Sequence, residues 1–442
     1  MGKKLLPDLG KGCQVKKSVF VLLIVLLLVV GCGFGASPTQ TVPPPITTPP
    51  ATATSPSSTT SLPTVPPRTS TSRPTLATTA QSELDAASPP LVLLGTLIDG
   101  TGADPLPDAV LVIEGSRIVA VGPRAAVSIP PDAQIIDLPQ ATILPGFVNT
   151  HVHNAYNARN LQIWAQAGVT TVRDLGERLG RPYFATRDRL RADPHNARLI
   201  AAGPLVTVPG GYPIAGNNFP SLTVTSPQDA REKIEQLVDE GADVIKITLT
   251  SGGAPSLSPE EAAAIVETAH ARGIPVTAHA TTAQDLLRAL DAGVDDVAHM
   301  AVDRVSNDVI RRMVDAGVAW VPTLEALENR GGNNLRRFVK AGGRVALGND
   351  GGYLPGLEVG MPMREIEAMH EAGMTPMQII VAASRDAAYV CRRADLLGTL
   401  ELGKNADILV VNGDPLRNLD ALLDVQLVIH DGVIIRDERG NP

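Results

Sequence analysis

The sequence predicts an α/β fold, a TIM-like (β/α)8 barrel joined to a small β-sandwich domain built from both ends of the folded body. Three observations lead to this prediction. Short apolar segments alternate with helical segments through the middle of the chain, which is typical of parallel βαβ units. Eight such strands can be counted, and eight is the number that closes a barrel. Strand-rich segments flank this stretch on both sides.

The helices between the predicted barrel strands have clear boundaries. SPQDAREKIEQLVDEG and SPEEAAAIVETAHARG open with Ser-Pro, place acidic residues in the first turn and end at glycine. This alternation predicts parallel strands whose carboxyl ends meet on one face of the barrel. The predicted strands lie at Ile143–Thr150, Val169–Arg173, Arg198–Ala202, Val244–Thr248, Pro275–Ala278, Asp296–Ala298, Ala319–Pro322 and Val345–Leu347.

The flanking segments are predicted to form the β-sandwich. Apolar alternation on both sides of Gly115-Ser116 indicates a β-hairpin. Near the C-terminus, ADILVVNGD and VQLVIHDGVII are also short apolar segments bounded by turn residues. Because chain termini often lie close together, we expect both ends to share one domain. The predicted sandwich comprises residues 91–143 and 393–442, and the predicted barrel comprises residues 144–392.

Residues 1–31 are predicted to be a lipoprotein signal peptide and not part of the fold. Several lysines precede an unbroken apolar run, Val19–Val30, which is shorter than the roughly 17–25 residues of a membrane-spanning helix. The run ends in VVGC, which resembles a bacterial lipobox and implies cleavage before Cys32 and lipidation of its thiol. The alternative is an uncleaved, slightly short anchor helix. Both alternatives predict an extracytoplasmic body that is anchored to the cell membrane.

The next segment is predicted to be a tether, and the net charge of the folded body argues against two classes of binding partner. Residues 32–90 consist largely of Thr, Ser, Pro and Ala, which bury no core and predict a disordered tether. The chain carries a net charge of −8, and its first 17 residues hold five lysines and one aspartate, so the remainder is near −12. An acidic body argues against nucleic acid and anionic lipid surfaces as partners of the folded domain.

Six residues with metal-binding side chains fall at the carboxyl ends of predicted strands. In a (β/α)8 barrel these ends converge on the face where catalytic sites lie. Four imidazoles, one amine and one carboxylate at one rim would make a site for two divalent metals. This pattern predicts a metal-dependent hydrolase. The six residues are His151, His153, Lys246, His279, His299 and Asp350.

The pair His151 and His153 and the lysine at position 246 carry most of this prediction. Residues i and i+2 on a strand face the same side, so both imidazoles can reach one metal. Alternation in VIKIT points Lys246 into the barrel, where a buried amine must be neutralised, paired or chemically modified. Carbamylation by carbon dioxide would convert it into a carboxylate that can bridge two metals. The alternatives are an ion pair or a surface lysine on a wrongly predicted strand.

The other three candidates each have a structural alternative. His279 and His299 end apolar strands and fit a second metal, although a single buried histidine is equally compatible with core packing. Asp350 precedes Gly351-Gly352, where an aspartate can simply close an Asx turn. A carboxylate at this position can also ligate a metal and shuttle a proton.

In this order, the motifs LPGFVNTHVH, VIKI, AHA, AH and GND resemble the amidohydrolase superfamily in its binuclear form with a carbamylated lysine. Within it the chain resembles the imidazolonepropionase-related branch, which includes prolidase-like dipeptidases. The resemblance covers most of residues 91–442. It implies that His151, His153 and Asp350 hold one metal, that His279 and His299 hold the other, and that modified Lys246 bridges both. Two divalent metal ions, with zinc expected, and carbon dioxide as the carbamate are the implied cofactors.

The chain departs from the family pattern at three places. Asn149 stands where an aspartate is commoner in the family. This difference affects the residues that orient the metal ligands and not the ligands themselves. The loop PGGYP places Tyr212 where relatives often have histidine. The segment 323–344 is short, which implies a more open pocket. Arg173, Tyr212 and Tyr353, on the loops after strands two, three and eight, are predicted to contact the substrate, with a structural Arg173–Asp174 role as the alternative.

The predicted reaction is hydrolysis of a C–N bond in a dipeptide or an N-acyl amino acid, by attack of a metal-bridging hydroxide with Asp350 as proton shuttle. A lactonase, a cyclic amidase or a hydrolase of xenobiotic amides would use the same metals. A deaminase would not require Lys246, and a non-catalytic binding lipoprotein would not require all six positions. The expected partners are a small amide substrate and, through the lipid anchor, the membrane. The sequence leaves a homo-oligomer open.

Overall fold

The computed structural model describes residues 89–440 apart from residues 179, 181, 354, 355 and 358. Cys32, the predicted signal peptide and the tether lie outside the described residues, so lipid anchoring and extracytoplasmic location stay predictions. Within the described part of the chain, every helix is too short or too polar to cross a bilayer.

The strands are distributed over the whole described chain and the helices occupy its middle. The helices are α1 Ala158–Gln166, α2 Tyr183–Arg191, α3 Ile214–Asn217, α4 Pro227–Asp239, α5 Pro259–Ala271, α6 Ala283–Ala292, α7 Asn307–Asp315, α8 Gly332–Lys340, α9 Met363–Glu371, α10 Pro376–Ala383 and α11 Arg385–Val390, with a 3-10 turn at Leu419–Leu423. The strands are β1 Leu91–Leu97, β2 Leu106–Glu114, β3 Arg117–Pro123, β4 Gln134–Pro145, β5 Phe147–Val152, β6 Val169–Asp174, β7 Arg198–Ala201, β8 Val206–Thr207, β9 Leu222–Thr223, β10 Ile245–Thr248, β11 Val276–His279, β12 Asp296–Ala298, β13 Ala319–Val321, β14 Ile408–Asn412, β15 Val425–His430 and β16 Val433–Asp437.

Both ends of the described chain contribute to one seven-stranded sheet in the order β16-β15-β14-β4-β1-β2-β3. The β1–β4 pair is parallel and the other pairs are antiparallel. The predicted hairpin at Gly115-Ser116 is the β2–β3 turn. Leu93 and Val92 belong to different apolar clusters, as alternation along β1 requires. The strands are hydrogen-bonded into one sheet, so a sandwich of two separate sheets stays a prediction.

The middle of the chain is a mixed α/β body with parallel sheets. One sheet has the order β13-β12-β11-β10-β8-β9 and the other has the order β5-β6-β7, and all pairs in both are parallel. The helices between them begin as the sequence indicates. Ser226 caps α4 through Asp229 N–H, and Ser258 forms a capping box with Glu261 at the start of α5.

The structure differs from the predicted strands at both ends of the series. The first predicted strand is divided at Gly146 into β4 and β5. Gly146 packs closely on Thr170, since an added Cβ would lie 2.3 Å from Thr170 Oγ1. The last predicted strand, Val345–Leu347, makes one isolated bridge to Trp320 and is not a regular strand. Thr150 N–H nevertheless donates to Leu347 O at 2.8 Å, so this segment lies between β13 and β5.

A buried ionic network joins the seven-stranded sheet to β7. Arg198 Nη1 donates to Asp407 Oδ2 at 2.6 Å, and its Nη2 donates to Asp431. His430 Nδ1 donates to Pro194 O at 2.8 Å. Burial alone would raise the pKa of Asp407, but the Arg198 guanidinium outweighs burial and lowers it. The network therefore fixes the C-terminal strands of this sheet against the body that carries the candidate site.

Candidate metal centre

The parallel strands bring the six candidate ligands to one cavity. His151 lies in β5 and His153 directly follows it, Lys246 lies in β10, His279 ends β11, and His299 directly follows β12. His299 and Asp350 have φ of 74° and 62°, a conformation that non-glycine residues adopt rarely and that clusters at functional sites. The cavity holds about 300 Å³, and all six side chains line it.

The side chains are close enough to share metal ions. His151 Nε2 and His153 Nε2 lie 3.2 and 3.0 Å from Asp350 Oδ1. The ring centres of His151 and His299 are 4.9 Å apart, and those of His279 and His299 are 4.5 Å apart. Such a set of nitrogen and oxygen donors around one cavity is what divalent metals such as zinc require.

Lys246 is the most unusual member of the cavity. Its side chain is 1% exposed, and its Nζ has no hydrogen-bond partner among the described residues. Burial lowers the pKa of this amine to about 7. A buried amine that lacks a partner is costly, because desolvation is not repaid. The surface-lysine alternative is therefore wrong, and the described residues offer Lys246 no ion pair.

Three of the imidazoles are neutral near pH 7. Burial lowers the pKa of His151 and His279 well below the ordinary value and that of His299 to about 4, and the positive charge of Lys246 adds to each effect. His153 differs because its hydrogen bond to Asp350 raises its pKa despite burial. Neutral imidazoles keep a lone pair for a metal, so the electrostatics of the cavity favour ligation.

Neighbouring groups orient two of the imidazoles. His153 Nδ1 donates to Gly176 O at 3.1 Å, and His299 Nδ1 lies 2.8 Å from Thr323 Oγ1. Asp174 accepts hydrogen bonds from Ala155 N–H and Gly176 N–H and so holds the loop beside His153. Such contacts leave Nε2 directed at the metal position. Thr323 was not singled out in the sequence, and Asp174 was considered only as a structural partner of Arg173, although both directly follow predicted strands, which was the available signal.

Two asparagines hold the loop that carries Asp350. The Asn149 side-chain amide donates to Asn349 Oδ1 at 2.8 Å, and the same oxygen accepts from Gly351 N–H at 3.2 Å. Asn149 Oδ1 in turn accepts from His151 N–H at 3.2 Å. An amide at position 149 therefore supports the ligands as both donor and acceptor, a role that an ionised aspartate cannot fill alone.

The prediction that Arg173 contacts substrate is corrected by the structure. Arg173 is fully buried, lies outside the cavity lining, and donates to both oxygens of Asp296 at 3.0 and 2.8 Å. Its Nε donates to Thr150 O at 2.7 Å, and Thr277 Oγ1 donates to Asp296 Oδ1 at 2.7 Å. The arginine thus links strands β5, β6, β11 and β12 beneath the ligands. Arg173 therefore has a structural role, as the alternative proposed, but its partner is Asp296 and not Asp174.

The two tyrosines predicted to contact substrate do line the cavity. The Tyr212 ring stacks on His279 with ring centres 4.6 Å apart, and the Tyr353 ring lies 6.4 Å from the His153 ring. Four further lining residues were not singled out in the sequence, because they lie in loops or in the single turn of α3, where the sequence has no periodic pattern. They are Leu205, Pro213, Asn217 and Phe219.

Two other features of the described chain do not match this chemistry. A larger cavity of about 730 Å³ lies around Asn334 and contains none of the six ligands. Asp407, His430 and Asp431 are also close enough to hold an ion, but Arg198 already pairs with both carboxylates. The six-residue cavity fits divalent metal binding better, since it combines neutral imidazoles, an ionised carboxylate and an unpartnered buried amine, and its His151, His153 and Asp350 are close enough to hold one ion.

Comparison with known proteins identifies enzymes that are similar to this chain. Ochratoxinase from Aspergillus niger is 26% identical over 423 residues, covering 78% of this chain and 86% of that protein. Imidazolonepropionase from Symbiobacterium thermophilum is 26% identical over 364 residues, covering 70% of this chain and 84% of that protein. A solved structure of a Xaa-Pro dipeptidase with bound methionine in the active site has 26% identity and a TM-score of 0.69, covering 78% of this chain and 99% of that one.

The match to a protein family covers most of the described chain. Residues 142–435 match the Amidohydrolase family, a span that contains all six candidate ligands. The resemblance seen in the motifs is thereby confirmed at the level of the superfamily. The chain belongs to the amidohydrolase family and is a hydrolase that acts on carbon–nitrogen bonds.

Proposed function

We propose that the protein hydrolyses the amide bond of small substrates, such as dipeptides or N-acyl amino acids, with a binuclear metal centre. One observation carries this proposal. Four imidazoles, the Asp350 carboxylate and an unpartnered buried amine line a single cavity of about 300 Å³. That volume lies at the small end of ligand sites, which favours a substrate of dipeptide size. The likeness to a Xaa-Pro dipeptidase supports the same substrate class.

The proposed ligand assignment follows the distances. His151, His153 and Asp350 hold one metal, because both Nε2 atoms lie within 3.2 Å of one Asp350 oxygen. His279 and His299 would hold the other. Lys246, once carbamylated by carbon dioxide, would supply a carboxylate as a further ligand to both, and its buried Nζ has no hydrogen-bond partner among the described residues otherwise. Zinc is the proposed metal because the donors are mainly imidazole nitrogens.

The side chains of the cavity then have distinct tasks. Divalent cations held by these residues would supply a water of lowered pKa and would polarise the substrate carbonyl. Burial alone would raise the pKa of Asp350, but the hydrogen bond to His153 and nearby positive charges lower it, so the carboxylate is ionised and has an oxygen that can receive a proton. It takes that proton from the attacking water and transfers it to the leaving nitrogen. The C–N bond breaks, the hydroxyl stays on the carbonyl carbon, and the products are an acid and an amine.

We also propose that the two parallel sheets are parts of one closed (β/α)8 barrel comprising residues 144–392. Three contacts support closure. Asp243 N–H donates to Ala201 O at 3.0 Å, between β7 and β10, and the segment 345–347 contacts both β13 and β5. The ends of the chain, 91–143 and 393–442, form the composite β-domain. A signal peptide over 1–31, lipidated Cys32 and a tether over 32–90 complete the proposal, with a location outside the cytoplasm.

A hydrolysis screen tests the proposed function. The full chain is loaded with zinc and bicarbonate and incubated with pooled dipeptides, N-acyl amino acids, cyclic amides and lactones. Asp350→Asn serves as the blank, and Asp104→Asn, at an exposed position away from the cavity lining, serves as the matched control. Amide cleavage by the unaltered chain and by the Asp104 variant alone supports the proposal. Cleavage of lactones only, by a protein that holds two metals, would overturn the amide assignment.

A further inference from the structure

Arg178 is held beside the cavity by two residues that line it. It lies on the loop after β6, and its side chain is exposed. Its Nη2 donates to the Tyr353 hydroxyl at 2.7 Å, and its guanidinium carbon lies 5.5 Å from the centre of the Phe219 ring. Tyr353 and Phe219 contact each other, with ring centres 5.7 Å apart. The guanidinium is therefore positioned before any substrate arrives, which reduces the entropy cost of binding.

Most of the hydrogen-bonding capacity of this guanidinium remains available. It has five N–H donors in a planar fork, and the hydrogen bond to Tyr353 uses one of them among the described contacts. Because the Tyr353 oxygen accepts that bond, the tyrosine keeps its own hydrogen for donation. An arginine fork beside a free hydroxyl donor matches the two oxygens of a carboxylate.

The position also fits the length of the proposed substrate. In an amide whose leaving group is an amino acid, the carboxylate carbon lies three bonds from the scissile carbon, at most about 4 Å away. The Tyr353 ring centre lies 6.4 Å from that of His153, a proposed metal ligand. The carboxylate of a substrate whose carbonyl lies beside His153 is therefore within reach of the wall that Tyr353 forms.

We infer that Arg178 and Tyr353 bind the free carboxylate of the substrate, which makes the substrate class N-acylated amino acids and dipeptides with a free C-terminus. This inference rests on the proposed function. The body of the protein is acidic, so a carboxylate substrate needs a local positive group, and Arg173 cannot provide one because Asp296 binds it. Leu205, Pro213 and Phe219 form an apolar wall in the same cavity, which favours an apolar or aromatic side chain on the substrate.

The test compares matched substrates with and without the negative charge. The zinc-loaded full chain, Arg178→Gln and the control Arg189→Gln are assayed with an N-acyl-phenylalanine and with its primary C-terminal amide. Arg189 lies at an exposed position near the end of α2 and outside the cavity lining. We expect Arg178→Gln to raise KM about 10- to 100-fold for the carboxylate substrate, the effect of losing a charge-assisted contact. For the amide substrate KM should change less than about threefold, and kcat should stay similar for both.

A binding measurement separates this inference from the proposed function. Calorimetry of the same three proteins with N-acetyl-phenylalanine and with its amide reports recognition even if nothing is hydrolysed. Weaker binding of the carboxylate ligand alone in Arg178→Gln supports the inference in either case. Equal losses for both ligands would mean that Arg178 only fixes Tyr353 in place, and unchanged affinity for both would exclude Arg178 from recognition. Failure of every amide to react, with carboxylate selectivity retained in binding, would overturn the proposed reaction alone.

Discussion

Replacement of Asp296 by alanine tests the structural basis of the metal centre. The substitution removes the carboxylate that accepts two hydrogen bonds from Arg173 and one from Thr277. Arg173 is 0% exposed and would remain as an uncompensated buried cation. Breaking such a pair costs about 3–5 kcal/mol of unfolding free energy, a large part of the 5–15 kcal/mol that a typical domain has. Because the pair lies beneath His151, His279 and His299, we also expect metal affinity to fall about 10- to 100-fold.

The assay is urea unfolding of the full chain, with chelator and with saturating zinc, combined with a zinc titration. The matched control is Asp291→Ala, which breaks the exposed Arg312–Asp291 pair at 2.6 Å and should cost less than about 1 kcal/mol. If Asp296→Ala does not fold, the double variant Arg173→Met with Asp296→Ala removes the buried charge and should regain part of the loss. Equal, small effects of Asp296→Ala and Asp291→Ala would refute the role given to the buried pair.

Three further predictions concern other buried groups. Lys246→Ala should lose metal and activity together and regain part of both with short carboxylic acids; full activity with two metals would remove the bridging role. Burial raises the pKa of Glu365 to about 8 from the ordinary 4.5, so the folded state keeps a proton that the unfolded chain releases. The unfolding free energy of the protein should therefore fall as the pH rises from about 4.5 to 8, by up to ~1.4 kcal/mol per pH unit. Glu365→Gln should remove this pH dependence at constant metal content. Arg198→Met should lower the unfolding free energy by about 3–5 kcal/mol, because Asp407 loses its buried partner, and the shift in urea midpoint measures this. A Glu365→Gln slope equal to that of the unaltered chain, or an unchanged midpoint in Arg198→Met, would contradict these two assignments.

The sequence predicted the site best where a polar residue ends a segment with clear strand periodicity. Alternation around Lys246 and the His151–His153 spacing placed these side chains at strand ends, and the structure brings them to one cavity. Those positions depend on local strand geometry, in which side chains alternate in a fixed way. The same local logic gave the β2–β3 hairpin and the Ser226 and Ser258 caps.

Long-range pairing could not be derived in this way. Arg173 was expected to reach the substrate, because nothing local shows that Asp296, 123 residues further along, neutralises it. Thr323 and the Asn149–Asn349 contact were missed for the same reason, since each joins strands that are distant in the sequence. Asn217 and Phe219, which line the cavity, lie in a segment whose sequence shows no strand or helix periodicity.

The central claim is that the six residues form one binuclear centre that hydrolyses amide bonds. The most direct test is a zinc titration of the metal-free full chain in the presence of bicarbonate, with bound metal and amide hydrolysis measured on the same samples. The account predicts that activity rises to a plateau at two zinc ions per chain and that Lys246→Ala reaches neither. Full hydrolysis without metal, or a plateau at one zinc ion per chain, would contradict it.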